Sequence, residues 1–211
     1  GEAIWETAKR QGIICANYFW PGSELKPDHR HAQYFHHYEH ERPYAQRIAG
    51  VLSWLDLPEA ERPQFITIYF DGVDSKGHAH GPDAPETNAA IAQVDSMLGY
   101  LMDGIEKRGL TGQTNIIVTS DHGMATIDHS RAINIEEVLG DYECEIVDRG
   151  PIMFLTPKNA SVEQMFERLS PHQEHFRLYL RDNMPEHFHF SDHPFIPPII
   201  LLANMGANVL T

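Results

Sequence analysis

Two short apolar, β-branched runs, "QFITIYF" (64–70) and "NIIVTS" (115–120), stand on either side of one long helical pattern. In that pattern Ile91, Val94, Leu98, Leu101 and Ile105 recur at three- and four-residue spacing. Such spacing predicts an amphipathic helix, and runs this short predict buried strands. Strand, helix, strand in that order implies a crossover connection between parallel strands, and so a layered α/β fold. The rest of the chain repeats the alternation. Residues 2–12, 43–56, 135–139 and 161–169 read as helices; 13–20, 143–148, 151–155 and "PPIILLA" (197–203) read as strands, the last as the final one. The expected frame is therefore an α/β fold with a largely parallel sheet. In such sheets functional groups gather beyond the carboxyl ends of the strands.

Both runs are followed at once by acid and imidazole. After 64–70 comes "DGVDSKGHAHGP" (71–82), with Asp74 and His78; after 115–120 comes "DHGM", with Asp121 and His122. Glycines and prolines mark the first stretch as a loop, with Gly77 allowing a tight turn that brings Asp74 and His78 together. Asp121 and His122 are neighbours and face one site only if the strand has ended there. Carboxylate oxygen and imidazole nitrogen are the donors that zinc accepts. Two such pairs suggest two divalent ions, and two metals about 4 Å apart form a clamp for phosphate-ester hydrolysis. Asp83 followed by Glu86, with Pro85 between, predicts a capping box for the long helix, and Gly109 its stop.

Composition narrows the function. Over 211 residues the formal net charge is -14, which argues against polyanion binding through a generally basic surface. An anionic small substrate stays open, because bound cations reverse the local field. Hydrophobic residues make up 42%, enough for a packed core. The two cysteines, Cys15 and Cys144, read as buried thiols. No apolar run reaches the ~18 residues of a membrane span, and "GEAIWETAKRQG" is not a signal peptide.

Taken together, "YFDGVDSKGHAHGP", the helix containing "AQVDSMLGYLMDGI", and "TNIIVTSDHGM" resemble the nucleotide pyrophosphatase/phosphodiesterase (type I phosphodiesterase) family of the alkaline phosphatase superfamily. "YFWPGSE" (18–24) and "IPPIILLA" (196–203) are similar to that family too, so the likeness runs along nearly the whole chain. Val73 departs from it, standing where many members carry proline before the acid. The resemblance implies an alkaline-phosphatase-like sandwich and a two-zinc centre, with Asp74 and His78 on one ion and Asp121 and His122 on the other. It implies a nucleotide or other phosphodiester as substrate, with Tyr69 at the position that stacks on the base. It also implies hydrolysis of phosphodiester or pyrophosphate bonds by a parent protein outside the cytoplasm, periplasmic or extracellular. By position, residues 1–211 correspond to the central to C-terminal part of one catalytic domain. The family's threonine or serine nucleophile and its last metal-ligand segment have no counterpart here. The chain is accordingly expected to bind zinc weakly, to be inactive by itself, and to pair with a second copy through an exposed sheet edge.

Other patterns compete. "HHYEH" (36–40) fits H-x-x-E-H, the inverted zinc-peptidase signature, with His36 and His40 as ligands and Glu39 as base. Sulfatases and phosphonate hydrolases share the metals and the sheet, and a non-catalytic module is a further alternative. "HFHFSDH" (187–193) reads as a surface turn, and "DHRH" (28–31) and His129 as solvated loop residues.

Overall fold

The computed structural model describes residues 1–24 and 30–211, which divide into two compact units, 1–123 and 124–211. His29 and Asp28 of the "DHRH" stretch lie outside the described residues.

The first unit is built on three parallel strands, β1 (Cys15–Tyr18), β2 (Tyr34–His36) and β3 (Phe65–Ile68), in the order β2-β1-β3. β1 is central and wholly buried, and its register pairs Asn17 with both Phe35 and Thr67. Alternation along β1 splits its side chains between two faces. Cys15 meets Trp5 of helix α1 (Ile4–Arg10) and Phe65. Ala16 and Tyr18 meet Val51 and Trp54 of helix α2 (Tyr44–Leu55). Helix α4 (Pro85–Glu106) joins on the α2 side, where Ile48, Leu52, Leu55 and Ile105 form one cluster with Ile66, Ile68 and Leu101. Gly104 lets α4 approach closely, since a Cβ there would stand 2.4 Å from a methyl of Leu52.

Helix α3 (Gly72–His80) lies between β3 and α4 in the chain. This corrects the expected loop at 71–82. Gly72 opens the helix, Gly77 is buried within it, and Gly81 ends it at φ 95°. The capping box is also absent: Ala84 is the N-cap of α4 and makes no side-chain cap, while Pro85 does occupy the first turn. Thr87 instead ties the α3–α4 turn, its hydroxyl donating to the Gly81 carbonyl at 2.8 Å. The apolar stripe of α4 is only partly covered. Ile105 is buried and Leu101 packs on the core, but Ile91 is 49% exposed.

The expected strand at 115–120 does not form. Ile117 and Val118 are 87% and 73% exposed, and among the described residues no strand pairs with this run. β-propensity describes how a residue fits a half-buried pleated surface. Without a neighbouring strand, that propensity has nothing to act on.

The second unit carries a four-stranded antiparallel sheet in the order β5-β6-β8-β7, where β5 is Cys144–Val147, β6 Ile152–Pro157, β7 Phe176–Leu180 and β8 Ile199–Ala203. "PPIILLA" supplies β8 but is not the last strand. β4 (Ala132–Asn134) pairs in parallel with a further strand, β9 (Asn208–Leu210). Helices α5 (Ile135–Leu139) and α6 (Val162–Leu169) close one face of the large sheet over Met153, Leu155, Phe176 and Leu201. Ser161 caps α6 in a reciprocal box with Gln164. The alternation of strand and helix foretold the parallel sheet of the first unit and not this antiparallel one.

Both cysteines are free thiols. Cys15 is buried and Cys144 half-buried, and burial pushes both thiols up. His31 is buried against Phe35 rather than solvated, whereas His129 lies in an exposed turn. His189 ends the turn at 186–188 with φ 48°, as the surface-turn reading of 187–193 requires.

Candidate metal centre at a strand end

β3 ends at Ile68, and the parallel pairing runs one residue further, with the Tyr69 amide donating to the Tyr18 carbonyl at 3.1 Å. The chain then turns through Asp71, the N-cap, into α3. Asp74 sits in the first turn, where the partial positive charge of the helix N-terminus favours a carboxylate. His78 is four residues on. Residues at that spacing share a helix face, so the helix itself, rather than a glycine turn, brings the pair together. His78 Nε2 lies 3.3 Å from Asp74 Oδ1.

The second motif reaches the same oxygen. His122 Nε2 is 3.8 Å from Asp74 Oδ1 and 3.7 Å from Asp121 Oδ2. The four side chains therefore run as a chain, His78–Asp74–His122–Asp121. The His122 Nδ1 is 2.9 Å from the Gly123 carbonyl, to which it donates. That bond leaves the Nε2 lone pair facing Asp74, the arrangement in which an imidazole serves as a metal ligand. The Gly123 contact, then the Asp121 and Asp74 charges, raise the His122 pKa. A metal at this nitrogen would have to displace a proton.

Asp74 Oδ1 is the decisive atom. It is shielded from solvent and has no hydrogen-bond partner. A buried acceptor left unsatisfied costs about 1–3 kcal/mol, more if charged. Two imidazole nitrogens face it, and a cation among them would satisfy it. The donor set of carboxylate oxygen and imidazole nitrogen fits zinc. Among the described residues, no group of three or more His, Cys, Asp or Glu side chains stands close enough to enclose a metal. The arrangement is an open one rather than a closed cage.

Tyr69 packs on the Tyr18–Phe19–Trp54 cluster. Burial raises its pKa, and the charges of Asp71, Asp121 and Asp74 raise it further, so the phenol stays neutral.

The H-x-x-E-H set does not assemble. His36 lies on β2, stacked on Trp54 with ring centroids 5.6 Å apart, and burial and then Arg42 lower its pKa. Glu39 pairs with Arg42, and His40 Nδ1 lies 3.2 Å from Asp71 Oδ2. No helix spans 36–40 to put the two histidines on one face.

A family profile described as type I phosphodiesterase/nucleotide pyrophosphatase matches residues 1–211. The chain belongs to that family. It is 36% identical over 208 residues to ectonucleotide pyrophosphatase/phosphodiesterase family member 1 of Mus musculus, covering 94% of this chain and 23% of the relative. It is 32% identical over 216 residues to family member 7 of Homo sapiens, covering 96% and 46%. It is 32% identical over 213 residues to venom phosphodiesterase 2 of Crotalus adamanteus, covering 97% and 26%. The structure of murine ectonucleotide pyrophosphatase/phosphodiesterase 5 matches with a TM-score of 0.84 at 27% identity, over 99% of this chain and 55% of that one. The fold is thus alkaline-phosphatase-like α/β. The chain spans less than half the length of these curated relatives.

Proposed function

We propose that this chain contributes the metal-holding part of a centre that hydrolyses nucleotide phosphodiester or pyrophosphate bonds. Both units then belong to one catalytic domain of the parent protein. Asp74 and His78 hold one divalent ion, and Asp121 and His122 hold the other. The observation that carries this reading is the Asp74 Oδ1 atom, shielded from solvent and accepting no hydrogen bond, between two imidazole nitrogens on a side chain that is otherwise 43% exposed.

Zinc bound there supplies Lewis-acid stabilisation of charge on phosphoryl and leaving-group oxygens. The chain's own residues do the positioning. α3 presents Asp74 and His78 on one face, and the Gly123 carbonyl sets the His122 tautomer. Tyr69, a neutral phenol beside the acids, is placed to meet the nucleoside end of the substrate. These acids and imidazoles orient metal rather than transfer protons.

The names of the relatives support the substrate class and the place of action. The relatives include ectonucleotide pyrophosphatases/phosphodiesterases and venom phosphodiesterases, and one murine type 5 structure is a complex with AMP. The same names support a parent that acts outside the cytoplasm, extracellular or periplasmic. Among the described residues no helix is long and apolar enough to cross a membrane. Pairing of the chain into a homodimer stays part of the proposal.

Chelator-competition titration with zinc tests the reading on this chain. Weak binding is expected, because each ion receives two protein ligands, and Asp74→Ala should weaken it most because it removes the carboxylate oxygen that faces both imidazoles. Unchanged zinc affinity in Asp74→Ala and in His122→Ala would refute the assignment. Turnover of a p-nitrophenyl nucleotide ester by this chain is expected to be negligible, and a full enzymatic rate would refute that part.

A further inference from the structure

Arg47 is a charged residue with no exposed surface, in the first turns of α2. A buried guanidinium is tolerated only when its donors are satisfied. Here they are, and every partner lies at one place. Nη1 donates to the Tyr69 carbonyl at 3.0 Å and to Asp71 Oδ1 at 2.9 Å. Nη2 donates to the His40 carbonyl at 3.1 Å, and Nε to the Arg42 carbonyl at 3.1 Å. The ring of Tyr44 lies 4.6 Å away and that of Phe19 5.0 Å. Phe19 itself adopts φ 63°, unusual for a residue with a side chain, at the end of β1.

The topology of these bonds points to a purpose. Tyr69 is the last paired residue after β3, and Asp71 is the N-cap of α3. Asp71 makes no cap bond with its side chain. Its carboxylate goes to Arg47, to His40, and to the Tyr44 hydroxyl at 3.5 Å. One guanidinium therefore grips both ends of the three-residue turn that leads from β3 into α3. It also grips the 40–42 segment beside that turn. Asp74 stands one helical turn beyond Asp71.

We propose that Arg47 is a positioning residue. It fixes the start of α3 against the end of β3, and through that helix it sets the Asp74–His78 pair for metal. The inference rests on the metal reading above only for its second half, because the placement of α3 is a property of the protein alone. The planar fork with five donors is what the site uses. Lysine keeps the charge but cannot reach four acceptors in fixed directions.

Two measurements on the full chain test this, with Arg47→Lys set beside Ile48→Val, a core change at the next residue of the same helix. In hydrogen exchange, Arg47→Lys should lose amide protection across 75–81 while β1 stays protected, and Ile48→Val should leave α3 as it is. In chelator competition, Arg47→Lys should weaken zinc binding by about 10–100-fold, as loss of a group that orients metal ligands does. Ile48→Val should not change it. Unaltered α3 protection in Arg47→Lys overturns the proposal, whatever zinc does. Loosened α3 with wild-type zinc affinity, while Asp74→Ala abolishes binding, overturns its second half. If Asp74→Ala leaves zinc binding untouched, the metal reading fails separately, and the exchange result alone decides the placement of α3.

Discussion

The two halves of the candidate centre are built in opposite ways. α3 starts from a strand end that is paired, turned by an N-cap and held by a buried arginine. The 115–123 segment carries an equally apolar run and an equally suggestive acid–histidine pair, yet has neither strand nor helix, and Ile117 is 87% exposed. Short-range bonds inside 119–123, such as the Ser120 hydroxyl to the His122 carbonyl, the His122 amide to Asp121 and His122 Nδ1 to Gly123, join two contacts from His122 Nε2, at 3.7 and 3.8 Å, in organising that half. Residue type fixes which ligands are offered. Placement with a defined geometry needs backbone hydrogen bonds and packing around them. The first half has both, and the second has side-chain bonds among near neighbours without strand or helix pairing.

The largest expected break in this comparison comes from paired truncations. Ile48 is fully buried in the cluster that supports β3, so Ile48→Ala should cost about 2–5 kcal/mol in denaturant unfolding. Ile117→Ala removes a similar side chain from a site already in water and should fall within about 0.5 kcal/mol of wild type. A loss above 2 kcal/mol for Ile117→Ala would mean that the segment is packed in solution and the contrast is false.

A smaller effect probes the scaffolded half at its tightest point. A Cβ on Gly72 would lie 2.4 Å from the Tyr44 hydroxyl oxygen, which also contacts Asp71. Gly72→Ala has the better helix propensity but should destabilise by about 1–3 kcal/mol, as overpacking does. Tyr44→Phe removes the clashing oxygen, so the double variant should recover most of the loss. A Gly72→Ala protein as stable as wild type would show that α3 can shift freely on its strand end, against the picture of a pinned helix.

Much of this was legible in the residues. The alternation of apolar runs with helical spacing foretold β1, β3, α2 and α4, because burial on a fixed period leaves a fixed trace. Asp74, His78, Asp121 and His122 stood out because they follow such runs directly. The helix at 72–80 was hidden by its glycines, whose usual penalty is offset by its packing. Arg47 also leaves a signal in the sequence. It lies on the stripe of Ile48, Val51 and Leu55, where a solvated arginine has no place. Asp71 leaves no local signal of its role, since its partners are 24 and 31 residues away in sequence. The antiparallel sheet of the second unit depends on pairings between distant strands that no local pattern records.

The smallest expected effect belongs to the outer edge of the same scaffold. Arg108, just past α4, grips Asp56, the C-cap of α2, with two bonds of 2.7 Å. Arg108 holds the Asp56 carboxyl below its ordinary value. The carboxylate end of the pair is in solvent, with 57% of the Asp56 side chain exposed, so its contribution is slight and salt-sensitive. The sign is nevertheless fixed. A carboxyl depressed in the folded state stabilises the fold above its unfolded value, near about pH 4, and that gain is lost as pH falls through the folded value. Asp56→Asn should therefore lower Tm slightly at neutral pH, and the difference should close on acidification below about pH 4 or in about 1 M salt. A gap that stays constant through both would show that charge is not its source. The rigidity of the α2–α4 side would then rest on its apolar cluster alone.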